Sequence, residues 1–157
     1  MKIINVLKFA VPAALAVALL SQTSITRADD QGKKGDHRPL KITFSKCVVP
    51  DTGPFGAHFE GTVGGDCGAG KVVFTYLSVI AGDPIVRFAG EYNITESQCP
   101  FKAVCAGTVN IRTGHIVLNG VVTDGPMLGD RVQVRAQANA NITCSQGTMT
   151  ITSSEQE

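Results

Sequence analysis

The sequence predicts an all-β protein, a single antiparallel eight-stranded up-and-down barrel. Eight segments are rich in Val, Ile, Thr or Phe and are bounded by Gly, Pro, Asp or Asn, the composition that a pleated, half-buried surface selects. No segment shows a sustained helical period. Glycines inside the segments indicate bulges or sharp coiling, which a sheet needs when it closes into a small barrel. A β-sandwich is the alternative, but an immunoglobulin-like sandwich usually has a core Trp and this chain contains none.

The N-terminus has the three parts of a cleavable export signal, which we predict over residues 1–28. Lys2 and Lys8 supply the positive start, an apolar run covers residues 9–20, and a small residue, Ala28, precedes the expected cut. The apolar run is shorter than the roughly 20 residues that a membrane-spanning helix needs. We therefore expect a secreted or periplasmic protein that has no membrane attachment after cleavage.

The rest of the chain divides into a leader, one domain and a tail. Residues 29–39 are charged and lack periodicity, so we expect a disordered leader. Residues 40–152 are the predicted barrel domain, which is long enough to bury a core of its own. Residues 153–157 are a predicted disordered tail.

The predicted strands follow one another through short turns. They lie near residues 41–49, 57–63, 71–80, 85–94, 103–112, 115–123, 130–139 and 141–152. The seventh has the cleanest alternation of apolar and polar residues, which predicts one face in the core and one in solvent. Gly114 lies between the fifth and sixth strands and supplies the positive φ that a tight hairpin turn requires.

The charge of the mature chain argues against nucleic acid as a partner. Loss of Lys2, Lys8 and Arg27 leaves 11 of the 14 basic residues against 13 acidic ones, a formal charge of −2. Binding to phosphates needs a concentrated patch of Lys and Arg, and the basic residues here are scattered along the chain.

All five cysteines lie in the mature part, and an exported chain meets an oxidising compartment, so we expect two disulfides. Cys99 and Cys105 bracket a short loop and are the first predicted pair. Cys47 and Cys144 fall in the first and last strands, which become neighbours in a closed sheet, and are the second. Cys67 would then be unpaired and could join two chains as a dimer, although other pairings stay open. We predict no metal and no cofactor, because no ligands are clustered.

Residues 107–114 and 118–125 form a glycine-punctuated pattern, GTVNIRTG and LNGVVTDG, across the fifth and sixth predicted strands. This run resembles small exported bacterial β-barrels of the calycin, allene-oxide-cyclase-like or dirigent-like type. The resemblance implies binding of apolar ligands or guidance of cyclisations in the mouth of the barrel. It transfers no site residue to this chain.

Two sets of residues are candidates for a site. The first is an apolar ligand pocket at one mouth of the barrel, predicted at Phe55, Phe59, Phe74, Tyr76 and Phe88. The second consists of weak catalytic candidates, His58, Glu60 and Glu91, which would act as acid or base if they lined the lumen. Solvent exposure of these charged side chains is the favoured interpretation, because Phe59, Phe88 and their apolar neighbours suit the interior better.

We therefore expect a non-catalytic binding or interaction module. Its partner would be a small apolar ligand or another extracellular protein. The alternative is an isomerase or cyclase that carries a Glu or His in the barrel mouth. The two interpretations differ in which face of strands 57–63 and 85–94 points inward.

Overall fold

A computed structural model describes residues 38–51 and 53–154, which form one closed antiparallel barrel. Its strands are β1 (Leu40–Pro50), β2 (Ala57–Gly65), β3 (Gly70–Ile80), β4 (Ile85–Thr95), β5 (Phe101–Asn110), β6 (His115–Asp124), β7 (Arg131–Ala138) and β8 (Cys144–Thr152). Each strand pairs with the next along the chain, and β1 also pairs with β8. The predicted meander barrel is confirmed, and the sandwich alternative is wrong. The predicted signal at residues 1–28 lies outside the described residues, as does nearly all of the leader.

The predicted alternation of apolar and polar residues matches the side chains that point into the barrel and out of it. Along β7, Val132, Val134, Ala136 and Ala138 are buried while the residues between them are exposed. In β2 and β4, the apolar members of the alternation are likewise the buried ones. The eighth strand begins at Cys144, later than predicted, because the side chain of Asn139 accepts backbone hydrogen bonds that build a turn before it.

The interior is packed with large apolar side chains. The largest of those that are fully buried are Tyr92, Phe74, Ile42, Ile94, Leu118 and Met149. Burial of a side chain of this size stabilises a fold by about 1.5–3 kcal/mol. The barrel is therefore a filled core along most of its length.

The two ends of the barrel differ. The loops β1–β2, β3–β4, β5–β6 and β7–β8 meet at one end, which we call the mouth end, because successive strands run in opposite directions. The other three loops, with both termini of the described barrel, meet at the closed end. At the closed end Ile94, Phe101, Val122 and Ile151 are at most 3% exposed.

One glycine brings β1 and β2 unusually close. Gly61 pairs with Lys46, and a Cβ at position 61 would overlap the backbone of Ser45 and Lys46. Only glycine fits such an approach, since every other residue carries that carbon. The close contact fixes the position of Lys46 in the wall of the barrel.

Of the two predicted disulfides, one is confirmed and one is wrong. Cys47 and Cys144 are partners in the β1–β8 register and are bonded, which ties the first strand to the last. Cys99 bonds Cys67 instead of Cys105. Cys67 and Cys99 lie on neighbouring loops at the closed end, whereas the side chain of Cys105 is on the inner face of β5 and fully buried. The spacing of Cys99 and Cys105 gave no information about this difference in direction.

Cys105 is therefore the free cysteine, not Cys67. Burial raises the pKa of its thiol to about 12. A disulfide to a second chain would require this side chain to leave the core, so the position of Cys105 gives no support to the predicted dimer.

Candidate functional site

The five residues predicted as a ligand pocket lie together at the mouth end. Ring centroids of Phe59, Phe74, Tyr76 and Phe88 lie between 5.3 and 6.2 Å apart in the contacts they make. Phe55, on the β1–β2 loop, lies 5.9 Å from Tyr76 and is 42% exposed. We call these five rings, with Tyr92 beneath them, the aromatic cluster.

A lysine that the sequence analysis did not single out points into this cluster. Lys46 follows Ile42 and Phe44 on the inner face of β1 and is only 6% exposed. Its Nζ lies 4.3 Å from the ring centroid of Phe59 and 4.5 Å from that of Phe74. An ammonium group above ring faces is stabilised by cation–π attraction of up to about 2 kcal/mol.

The amine of Lys46 has no anionic partner. Among residues 38–51 and 53–154, no hydrogen bond or ion pair to its Nζ is formed, and the other described lysines and arginines do not share this burial. Burial without a compensating carboxylate disfavours the charged form. The pKa of Lys46 is therefore lowered from 10.5 to about 7.

Ser145 is a second buried polar group beside Lys46. The two residues are partners in the β1–β8 register, so their side chains share the inner face. The Ser145 side chain is buried and its hydroxyl has no hydrogen-bond partner. A buried hydroxyl without a partner costs about 1–3 kcal/mol. Two hydrogen-bond donors thus lie unused at the same place.

A small cavity separates these donors from the loops of the mouth end. We call it the mouth cavity, and its volume of about 20 Å³ is enough for a group of the size of one water molecule. Its lining comprises Lys46, Phe59, Phe74, Tyr76, Phe88, Tyr92, Val109, Ile116, Ala136, Ala138, Ile142 and Ser145. Four of the five predicted pocket residues are among them. Phe55 lies above the cavity and does not line it.

One lining residue has a strained backbone. Ile142, in the β7–β8 turn, has a φ of 56°, which lies in the left-handed region. A β-branched side chain seldom adopts this conformation, and strain of this kind is concentrated at functional sites. The turn holds Ile142 there through a backbone hydrogen bond from its N–H to the carbonyl of Asn139. An apolar side chain is thereby held over the cavity.

Exposed apolar side chains lie on part of the mouth end, most of them beside the β3–β4 loop. Among the described residues, six exposed large apolar side chains lie on the β1–β2 and β5–β6 loops or on the strand ends that flank the β3–β4 loop. These six, which we call the apolar rim, are Phe55, Leu77, Val79, Ile80, Ile85 and Ile111. Grouped apolar exposure is a feature of surfaces that bind ligands or partners in other proteins.

The three catalytic candidates lie on the outside of the barrel. Glu60 and Glu91 alternate with the buried rings of β2 and β4, and neither lines the mouth cavity. His58 contacts Glu60 Oε1 through Nε2 at 2.8 Å and Asp51 Oδ2 through Nδ1 at 2.5 Å. Hydrogen bonds to Glu60 first, and then to Asp51, raise the pKa of His58. This cluster ties the base of the β1–β2 loop to β2, and a catalytic role for the three residues stays a prediction.

A larger depression on the outer wall differs from the mouth cavity in character. It has a volume of about 510 Å³ and lies over β7, β8 and the start of β1. Its lining combines exposed polar side chains, among them Arg135 and Gln137, with apolar residues such as Ala136. Because it is open and has no unpaired buried group, it is a weaker candidate than the mouth cavity.

The described part of the chain has neither a metal-binding cluster nor a membrane-spanning helix. Within residues 38–51 and 53–154, no three His, Cys, Asp or Glu side chains are placed to hold a metal ion. In the same ranges, no helix has the length and apolar character needed to cross a membrane.

No protein-family model matches the chain, and no curated protein is significantly similar to it in sequence. The resemblance to calycin-like and dirigent-like barrels therefore stays a prediction. The mouth cavity has to be interpreted from its own residues.

Proposed function

We propose that the protein binds a small, largely apolar ligand at the mouth end through an oxygen atom that accepts hydrogen bonds. The observation that carries this proposal is the inward-pointing Lys46 side chain, which has no anionic partner among the described residues, beside the buried and unpartnered Ser145 hydroxyl in an aromatic cavity. Buried polar groups are normally paired, so this arrangement favours an external acceptor. A carboxylate or a carbonyl group has the required chemistry.

The dimensions of the mouth cavity limit the size of the ligand group that it can hold. The mouth cavity holds a group of about one water molecule, which corresponds to the oxygen end of a ligand and not to its body. The body would lie in the opening, against Phe55 and the other side chains of the apolar rim. This favours short-chain ligands over the large ones that a wide, empty barrel would take.

The arrangement supports binding over catalysis. The acidic and histidine side chains that an isomerase or cyclase would use lie away from the cavity. The two disulfides fit an oxidising compartment. Together with the predicted export signal they support a secreted or periplasmic site of action.

A protein partner is the second candidate, and the apolar rim is the observation that favours it. Six exposed apolar side chains at one end of a small domain could pack against another extracellular protein. This candidate makes no use of Lys46 or Ser145, so the two functions can be separated by experiment.

The test is an NMR titration of the purified protein with hexanoate and, as a matched ligand, hexylamine. We expect hexanoate to shift the signals of Ser145 and Ile142 but not those of Val122 and Ile151 at the closed end. Hexylamine has the same chain but a cationic head, so we expect much weaker binding beside Lys46.

Two variants complete the test. Lys46→Met should weaken hexanoate binding, whereas Lys41→Met, on the exposed face of the same strand, should not. Equal binding of both ligands by the unmodified protein, confined to the apolar rim, would overturn the proposal and favour the protein-partner candidate.

A further inference from the structure

The amine of Lys46 differs from an ordinary surface lysine in its surroundings. It is enclosed by aromatic rings, faces the mouth cavity and has no carboxylate within contact among the described residues. Such a group can do more than donate a hydrogen bond to a ligand's oxygen. An uncharged amine carries a free electron pair and is a nucleophile.

We propose that Lys46 captures small apolar aldehydes covalently, through an imine between its Nζ and the carbonyl carbon of the ligand. This inference rests on the proposed function, since it places the same head group in the same cavity. It adds that one class of ligand becomes bonded to the protein.

The reaction balances without any further reagent. The electron pair of Nζ forms a bond to the carbonyl carbon, and the carbonyl oxygen takes up a proton from the amine. The carbon–oxygen bond then breaks, and the oxygen leaves as water with the two amine hydrogens. Addition of water reverses every step, so the capture is reversible.

Ser145 is a positioning residue in this scheme. Its hydroxyl shares the inner face with Lys46 and has no other partner. It can donate a hydrogen bond to the carbonyl oxygen and so hold the carbon toward Nζ. Developing negative charge on that oxygen would strengthen the hydrogen bond.

The low pKa of about 7 supports the scheme. Near pH 7 about half of the Lys46 side chains are uncharged, whereas about one in 3,000 is uncharged for a lysine with the ordinary pKa of 10.5. The aromatic enclosure also limits access of bulk water, which slows hydrolysis of the imine. The cavity dimensions restrict capture to aldehydes with an unbranched end.

The experiment uses the purified protein with both disulfides intact, hexanal as the probe, and sodium cyanoborohydride to reduce the imine to a stable secondary amine. Peptide mapping by mass spectrometry then compares Lys46 with Lys41. We expect one hexyl group per chain, at Lys46, formed at least about tenfold faster than at Lys41, in line with the larger uncharged fraction. Ser145→Ala should slow the capture without moving it to another lysine.

The outcomes separate this inference from the proposed function. Modification spread evenly over the lysines, while hexanoate still shifts the signals of Ser145, would overturn covalent capture and leave noncovalent binding in place. No binding of hexanoate and no selective modification would overturn both. The comparison of Lys46 with Lys41 is made within the unmodified protein, so it does not depend on the folding of any variant.

Discussion

Replacement of Lys46 by Met should stabilise the barrel, most strongly below about pH 7. Met has a similar length and no charge, so it can fill the same space among the rings of the aromatic cluster. The folded protein must bury the amine of Lys46, and the shift of its pKa from 10.5 to about 7 measures the cost of burying it in charged form. Removal of the amine removes that cost.

The sign and size of the effect follow from the shift. Between the folded and unfolded pKa values the unfolded chain binds more protons, so this group makes the folded state more stable as the pH rises. Well above the unfolded pKa of 10.5, the amine is uncharged in both states and its titration costs the folded state nothing. The stability is lost as the pH falls, and the loss is complete below the folded pKa of about 7. Converted at 1.36 kcal/mol per unit, the advantage of Lys46→Met is about 4 kcal/mol at pH 7 and about 2 kcal/mol at pH 9.

The assay is urea unfolding at a series of pH values, with both disulfides intact. The wild-type protein and Lys46→Met are compared at each pH, so that titration of Cys105 and of tyrosines cancels in the difference. Lys41→Met is the matched control, and its difference from wild type should stay constant because the side chain is in solvent. Parallel pH profiles for wild type and Lys46→Met would contradict a lowered pKa of Lys46 in the folded protein.

Three further predictions concern other parts of the barrel. Cys105 should react with iodoacetamide at least about 100-fold more slowly in the native protein than in denaturant, since reaction needs an opening that exposes the core; fast labelling of the native protein would contradict its burial. The NMR titration of His58 should give a pKa above the ordinary 6.5, and Glu60→Gln should lower that pKa, because the hydrogen bond to Glu60 is the largest cause of the shift. Protonated His58 should stabilise the β1–β2 loop. This stabilisation should be complete below the unfolded pKa of His58 and lost as the pH rises through its folded pKa. Gly61→Ala should cost more than about 2 kcal/mol, because the new carbon meets backbone of β1, whereas Gly64→Ala, which meets only the Thr43 hydroxyl at 3.3 Å, should cost less than about 1 kcal/mol; equal unfolding midpoints for the two variants would contradict the account of the close approach.

The barrel could be predicted because every strand carries its own signal. The alternation in β7 and the turn glycine before β6 are local features of the sequence. They do not depend on which strands pair with one another. Closure followed from the number of sequential strands and short turns. The bond between Cys47 and Cys144 followed in turn, because closure makes the first and last strands neighbours.

The wrong disulfide and the overlooked lysine both depend on the direction in which a side chain points. Cys99 and Cys105 are close in sequence, but Cys105 points into the core, and loop length alone does not reveal the direction of a side chain. The alternation of β1 does place Lys46 on the same face as Ile42 and Phe44, so its position was present in the sequence. Lysine is almost never fully buried, so the alternation alone gives little reason to expect Lys46 inside the barrel.

Of the candidate site, only the apolar half was named in the sequence analysis. Aromatic residues on the inner faces of β2, β3 and β4 indicated the cluster, because large rings suit the interior of a small barrel. The partner of Lys46 across the β1–β8 pair, Ser145, could not be identified without the register. A single serine in a strand has no pattern that marks it as a donor in a cavity.

The most direct test of the account is an NMR titration of the Lys46 side chain, in the absence and in the presence of hexanoate. We expect a pKa of about 7 for the free protein and a higher pKa in the complex, because an adjacent carboxylate favours the charged amine. A Lys46 that titrates near its ordinary value of 10.5 and does not respond to hexanoate would contradict the claim that the mouth of this barrel is a binding site.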